Sequence, residues 1–308
     1  MSSTSPPIDP PISRLLKDAD RPLLSYEFFP PKGEKGMASL QATVESLKDT
    51  SPDFVTVTYG AGGSTRNLTF EIASLLRRFR YNPVMPHLTC VGSSEGELIE
   101  IADQIHEEGF RNIMTLRGDP PHGEAQFVTA EGGLACARDL VKLLKSRHPD
   151  FCLGVAGYPE PHPDSRGDAE DLDYLKAKQD AGADFITTQL FFQNHHYYRF
   201  REKCGRAGIR IPIIPGIMPA LSLGQIQRIT SMCGAELPLP LLGKLEAAGN
   251  DKVASMNTGI LWCTEQLIDL LEKDVPGIHL YILNQIRPAL TFQLARTFLQ
   301  MTRKLETT

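Results

Sequence analysis

The segment FVTVTYGAGGSTRNLTFEIASLLRRFRYNPVMPHLTC, from Phe54 to Cys90, decides the fold because it holds one complete strand, crossover and strand. Its ends, Phe54–Tyr59 and Val84–Cys90, are short apolar runs rich in β-branched and aromatic residues. Between them Leu68, Ile72, Leu75, Leu76 and Phe79 recur at separations of three and four, which places them on one face of a helix that packs against a sheet. Two strands joined in this way run parallel, and the crossover is right-handed.

The same rhythm extends in both directions. Further strand-like runs occur at Leu23–Phe29, Asn112–Leu116, Cys152–Ala156, Phe185–Phe191, Ile211–Ile217 and His279–Leu283. Ser94 and Glu97 form a capping-box signature, and Gly109 and Gly182 sit where a helix would stop before a strand. Alternating strands and helices leave an open doubly wound sheet or a closed barrel, and eight units favour an α/β fold of the (β/α)8 TIM-barrel type. Ser222–Pro276 exceeds what one crossover needs, so extra helices, including Ser255–Leu271, are expected before the last strand. Residues 1–20 read as an N-terminal arm, loose over its first ten or so residues, with a short helix from Ile12 to Ala19. Residues 21–308 read as one barrel domain without a linker.

Composition narrows the partners. The 308 residues carry 37 acidic and 32 basic side chains, a net charge of -5, with no basic run to neutralise a phosphate backbone, so nucleic acid is not an expected partner. No window approaches the ~20 apolar residues of a membrane span, and MSSTSPPIDPP lacks a signal peptide's basic and apolar regions; a cytoplasmic protein is expected. Six cysteines lie far apart without a C-x-x-C pair, and the adjacent His195 and His196 point in different directions on a helix or strand. Neither a disulfide framework nor a metal site is expected.

In a parallel barrel the active site gathers at the carboxyl ends of the strands. Glu27 lies inside the first apolar run, which Phe28-Phe29-Pro30-Pro31 then ends because proline cannot continue the ladder. A carboxylate among aromatics is expected to be partly desolvated, favouring the protonated form a general acid needs; a glutamate in a structural ion pair fits the same residues equally. Thr58-Tyr59-Gly60-Ala61-Gly62-Gly63-Ser64-Thr65 nearly spells G-x-G-x-x-G, but Thr65 replaces the third glycine, so the dinucleotide signal is weak. The turn either brings backbone N–H groups to a ligand or is only a tight turn. His87 donates to a ligand or satisfies a core carbonyl, and Arg117-Gly118-Asp119 forms a polar ligand rim or a surface turn. Gln189 reads a heterocycle's edge or bonds to nearby backbone. No G-x-S-x-G, P-loop or kinase motif is present.

Taken in order, YEFFPPK, VTYGAGGST, PHLTC, LRGD, YPEPHP, TTQLFF, IIPGIMP and HLYILN resemble the methylenetetrahydrofolate reductase family from about Leu23 to Asn284. The resemblance implies a barrel that binds FAD, takes hydride from NADH or NADPH and reduces 5,10-methylenetetrahydrofolate to 5-methyltetrahydrofolate. It implies that Glu27 is the acid that helps open the folate's imidazolidine ring, with Asp119 the carboxylate beside flavin and pterin. Gln189 and Gln225 become folate contacts. Thr58, Tyr59, Ala61, His87, Arg117, Gly118, Asp119, Tyr158, His162, Asp171 and Lys178 become FAD contacts, and the first three of these also face the nicotinamide.

Departures from the family pattern are Gln285 where an arginine often stands, with Arg287 two positions later, and Cys136 near a usual tyrosine within His122–Cys136. A homo-oligomer is expected. So is the absence of a C-terminal regulatory domain and of inhibition by S-adenosylmethionine. Two rival readings remain open: another barrel oxidoreductase with a different one-carbon or pterin substrate, and a flavin- or folate-binding subunit of a larger complex.

Overall fold

A computed structural model describes residues 8–60, 66–119 and 127–306. Its strands are β1 (Leu23–Phe28), β2 (Phe54–Val57), β3 (Val84–Thr89), β4 (Asn112–Leu116), β5 (Cys152–Gly157), β6 (Phe185–Thr188), β7 (Ile213–Ile214), β8 (Gly216–Ile217) and β9 (Gly277–Leu280). Every pairing is parallel, β1 to β7 neighbour one another in sequence order, and β9 pairs with both β1 and β8. The expected strand Ile211–Ile217 is thus broken at Pro215. Proline has no N–H to give to β6, but its carbonyl accepts from His279 N at 2.9 Å, so one half of the broken strand pairs with β6 and the other with β9. The nine segments fill eight positions of a TIM-type barrel.

Around the strands, among the described residues, lie α1 (Ile12–Asp18), α2 (Gly33–Leu47), α3 (Arg66–Arg78), α4 (Glu95–Glu107), α5 (Ala137–Arg147), α6 (Asp168–Asp180), α7 (Asn194–Arg206), α8 (Leu223–Cys233), α9 (Leu239–Ala248), α10 (Lys252–Glu272) and α11 (Ile286–Glu306). The expected extra helices are α8, α9 and α10. The capping box at Ser94 is formed, and Gly109 and Gly182 both take positive φ after helices. None of these helices is long and apolar enough to cross a membrane.

Two expectations need correction. The arm expected to be loose over its first ten or so residues is anchored at the ninth, with residues 1–7 outside the described residues: Asp9 is buried, its N–H donates to Gly109 O at 3.1 Å, and its carboxylate meets Arg77 at 2.7 Å. The last strand ends at Leu280 rather than Leu283, because Leu283 and Asn284 both adopt φ of 54°, which no extended strand accommodates. The helix that follows the last strand, not delimited in the sequence reading, is α11, with Pro288 in its first turn, where a missing N–H breaks no helical bond.

Strand alternation sorts the core into two shells. Leu24, Tyr26, Phe28, Val55, Val57, Leu153 and Val155 face the helices, whereas Leu23, Phe54, Met85, Met114, Cys152, Phe185 and Ile214 fill the barrel's amino end. Ile12 of α1 is wholly buried in that inner cluster and closes it from below. One and two pleats higher the same faces carry Ser25, Glu27, Thr58, His87, Gln189 and His279. The interior therefore changes from apolar at the amino end to polar at the carboxyl end, where a cavity opens.

Candidate active site at the barrel mouth

The cavity encloses about 710 Å³, and Glu27 is among the residues that line it. Glu27 Oε2 is 3.3 Å from His279 Nε2 and 3.6 Å from His87 Nε2. Of the aromatic residues beside Glu27 in sequence, Tyr26 and Phe28 alternate to the opposite face of β1 and Phe29 reaches the cavity, whose wall also carries Tyr281. Two imidazoles are the polar neighbours of the carboxyl.

His279 Nδ1 lies 2.8 Å from Ser25 Oγ, and that hydroxyl is also 3.3 Å from Ile278 O. These partners couple the imidazole's tautomer to the glutamate's proton. A carboxylate at Glu27 takes N–H from Nε2, and Ser25 then donates to Nδ1; a carboxylic acid donates to Nε2, and Nδ1–H is then accepted by Ser25, which donates to Ile278 O. Burial pushes His87 down to about 4, against the opposing pull of Glu27, so its ring is neutral at pH 7. His87 Nε2, Thr89 Oγ1 and Thr187 Oγ1 are buried without a hydrogen-bond partner among the described residues, and all three side chains line the cavity. Orphaned polar atoms on a cavity wall are the mark of a surface made to receive a polar ligand.

The rim follows β4 and β5. Arg117 bonds Asp164 at 3.0 Å and lies 5.3 Å over the Phe127 ring. Gly118 has φ of +91°, and a Cβ there would meet Val91 Cγ1 at 2.7 Å, so the turn that aims Arg117 and Asp119 requires glycine. Asp119 is exposed, and after burial its negative charge helps to push the Tyr158 phenol up to about 12. His162 packs edge-on to Tyr158, and its Nδ1 accepts from Asp164 N at 3.0 Å.

Asp171 fastens this loop by accepting from His162 N at 2.9 Å and Ser165 Oγ at 3.0 Å. Lys178 donates to Ala156 O at 3.0 Å, and burial lowers its ammonium to about 8. Gln189 turns its amide oxygen to Leu190 N at 2.9 Å, which leaves its NH2 group for a ligand.

Of the residues named from sequence, Glu27, Thr58, Tyr59, His87, Arg117, Gly118, Asp119, Tyr158, His162, Asp171, Lys178 and Gln189 all line this one cavity. Ala61 lies outside the described residues. Gln225 does not line the cavity; it sits in the first turn of α8, its N–H on Ser222 Oγ at 3.3 Å. Gln285 and Arg287 are likewise outside the lining, and Arg287 bonds Asn257 Oδ1 at 2.6 Å. The sequence reading missed Ser25, His279 and Tyr281. His279 and Tyr281 share strand parity, but only the register that places Ser25 opposite His279 reveals that they flank Glu27.

Residues 12–292 match the profile of the family described as methylenetetrahydrofolate reductase. A 5,10-methylenetetrahydrofolate reductase of Pectobacterium carotovorum is 36% identical over 276 residues, covering 89% of each chain. The chain belongs to the methylenetetrahydrofolate reductase family. Methylenetetrahydrofolate reductase (NADH) 1 of Arabidopsis thaliana is 40% identical over 276 residues, covering 86% of this chain and 47% of its own length; the chain spans about half the length of the plant relatives it matches. Among solved structures, a Clostridium thermocellum protein described as binding two copies of 5-methyl-5,6,7,8-tetrahydrofolic acid superposes with a TM-score of 0.64 at 16% identity, over 92% of this chain and 98% of its own. At that identity the likeness is one of fold. A 2,3-dimethylmalate lyase shares the architecture at a TM-score of 0.51 and 9% identity, over 96% of this chain and 83% of its own, so the barrel alone does not select a chemistry.

Proposed function

We propose that this chain reduces 5,10-methylenetetrahydrofolate to 5-methyltetrahydrofolate, taking hydride from NADH or NADPH by way of FAD in a ping-pong sequence. The observation that carries the reading is the position of Glu27. It is a cavity carboxyl between two imidazoles, on the same wall system as Asp119 and Gln189, in a chain that matches this family along nearly its whole length.

The cavity's donors suit a flavin dinucleotide. Arg117 and Lys178 are two cations on one side for a diphosphate, and the unpartnered Thr89, Thr187 and His87 offer hydrogen bonds to a polar ring edge. Thr58, Tyr59, Gly118, Asp119, Tyr158, His162 and Asp171 complete the holding set, with Ala61 assigned from the resemblance alone. When bound, FAD supplies an acceptor of hydride from the nicotinamide and then a donor to the folate.

Glu27 gives a proton to the departing ring nitrogen of the folate, because an amine leaves poorly unless protonated, and the Ser25–His279 pair rearranges its hydrogens to match either state of that carboxyl. Asp119 stabilises the positive charge that ring opening creates. Gln189 holds the pterin edge with its free amide hydrogens. A binding subunit without turnover has no observation in its favour.

The test is an anaerobic assay of the two half-reactions. Glu27→Gln is expected to leave flavin reduction by NADH or NADPH near the unmodified rate while slowing reoxidation by methylenetetrahydrofolate about 10²–10⁴-fold. If both halves ran normally in the variant, Glu27 would not be the acid. If the unmodified chain bound no FAD, the cofactor assignment would fall.

A further inference from the structure

Away from the cavity, three chain segments bring one imidazole and two carboxylates together. Glu160 follows β5, His196 lies in the first turn of α7, and Glu236 lies between α8 and α9. His196 Nε2 is 3.7 Å from Glu160 Oε1 and 3.5 Å from Glu236 Oε2, and a ligand atom from each residue lies within 4.8 Å of the others. A tetrahedral ion with bonds of ~2.0–2.1 Å sets its donors about 3.4 Å apart, close to both measured separations.

Two atoms of the cluster lack hydrogen-bond partners. Glu160 Oε2 and His196 Nε2 are buried without a hydrogen bond among the described residues, and the two side chains are only 12% and 15% exposed. Among those residues no lysine or arginine forms a salt bridge with Glu160 or Glu236. Glu236 N donates to Glu160 Oε1 at 2.7 Å, which holds the two carboxylates close despite their like charge. Burial pushes Glu160 up, and burial with the neighbouring His195 pushes His196 down. A bound cation would neutralise the paired carboxylates and satisfy both orphaned atoms.

We propose that Glu160, His196 and Glu236 form a binding site for one divalent transition-metal cation of the zinc class, on the loop that carries Tyr158 and His162 to the cavity. One imidazole with two carboxylates is a borderline donor set, better suited to Zn²⁺ than to Mg²⁺, which prefers oxygen ligands and retained water. The site lies outside the cavity lining, so its role is to brace. Gly234, which ends α8, already abuts Pro163, where a Cβ would lie 3.2 Å from Cγ, and a cation would lock that contact to α7. The sequence shows no metal motif because its donors are 36 and 40 residues apart.

The full chain, stripped with a chelator and dialysed, is titrated with zinc chloride by calorimetry, and its melting is followed with and without the ion. One equivalent should bind and raise the melting temperature, by mass action on the folded state. Affinity should fall about a hundredfold in His196→Ala and at least tenfold in Glu236→Gln, while His148→Asn, in the separate His106–His148 pair, should bind as the unmodified chain does. Excess Mg²⁺ should not displace the zinc. Glu236 is 60% exposed, so that variant keeps the test valid if His196→Ala fails to fold. Absence of binding, or binding unchanged in Glu236→Gln, overturns the assignment, as does binding lost in His148→Asn.

Discussion

His87 shows what one buried titratable residue does to this protein. Its ring is lowered to about 4 chiefly by burial, whereas an exposed histidine titrates near 6.5. Between those values the unfolded chain binds a proton that the folded chain refuses. Stability is therefore full above pH ~6.5 and declines as pH falls toward 4, by on the order of 3 kcal/mol for this residue. Urea melts at pH 7 and pH 5 should show the decline in the unmodified chain and a flatter dependence in His87→Asn; equal slopes would mean that His87 carries no such penalty. At this scale the sequence was legible wherever a strand end bore an unusual polar residue, as at Glu27, His87 and Gln189. It was not legible where the polar residue looked like an ordinary strand member. Ser25 and His279 are two such residues, 254 positions apart, and nothing local in either says that the first strand pairs with the last.

At the scale of elements, alternation and capping residues carried most of the fold, and the misses have local causes. The seventh strand reads as continuous because Ile211–Ile217 is apolar throughout, yet Pro215 shifts the pairing from β6 to β9. The short first helix looked peripheral in a polar, proline-rich leader. Its Ile12 is in fact part of the barrel's inner cluster, and Asn112 at the start of β4 fixes it, accepting from Ile12 N at 2.7 Å and donating to Pro10 O at 3.0 Å. Ile12→Ala would leave a cavity with no neighbour free to fill it, at a cost of about 2–5 kcal/mol. Equilibrium urea unfolding measures it, and a loss under ~1 kcal/mol would show that α1 is only laid against the barrel end. The direction of the effect follows from packing, which a hydropathy pattern of seven residues cannot reveal.

At the scale of the molecule, one carboxylate joins the start of the barrel to the last helix. Asp53, just before β2, accepts from Leu24 N at 2.7 Å, from Arg21 at 2.6 and 2.8 Å, and from Arg296 of α11 at 3.0 Å. Burial pushes Asp53 up, but the hydrogen bonds from Arg21 and Leu24 and the two guanidinium charges outweigh it and hold the group below the usual carboxylate range. Arg296 is 8% exposed, so Asp53→Asn leaves a buried guanidinium without its counter-charge, a loss of about 3–5 kcal/mol at pH 7. The sign with pH follows from the lowered folded value: the carboxylate's contribution is present above the unfolded value of about 3.9 and disappears as pH falls through the folded one. Urea midpoints of the two proteins should therefore lie far apart at pH 7 and approach each other toward pH 3. A gap that did not narrow would show that the network works by packing alone, and that the closure of the barrel by α11 does not depend on this charge.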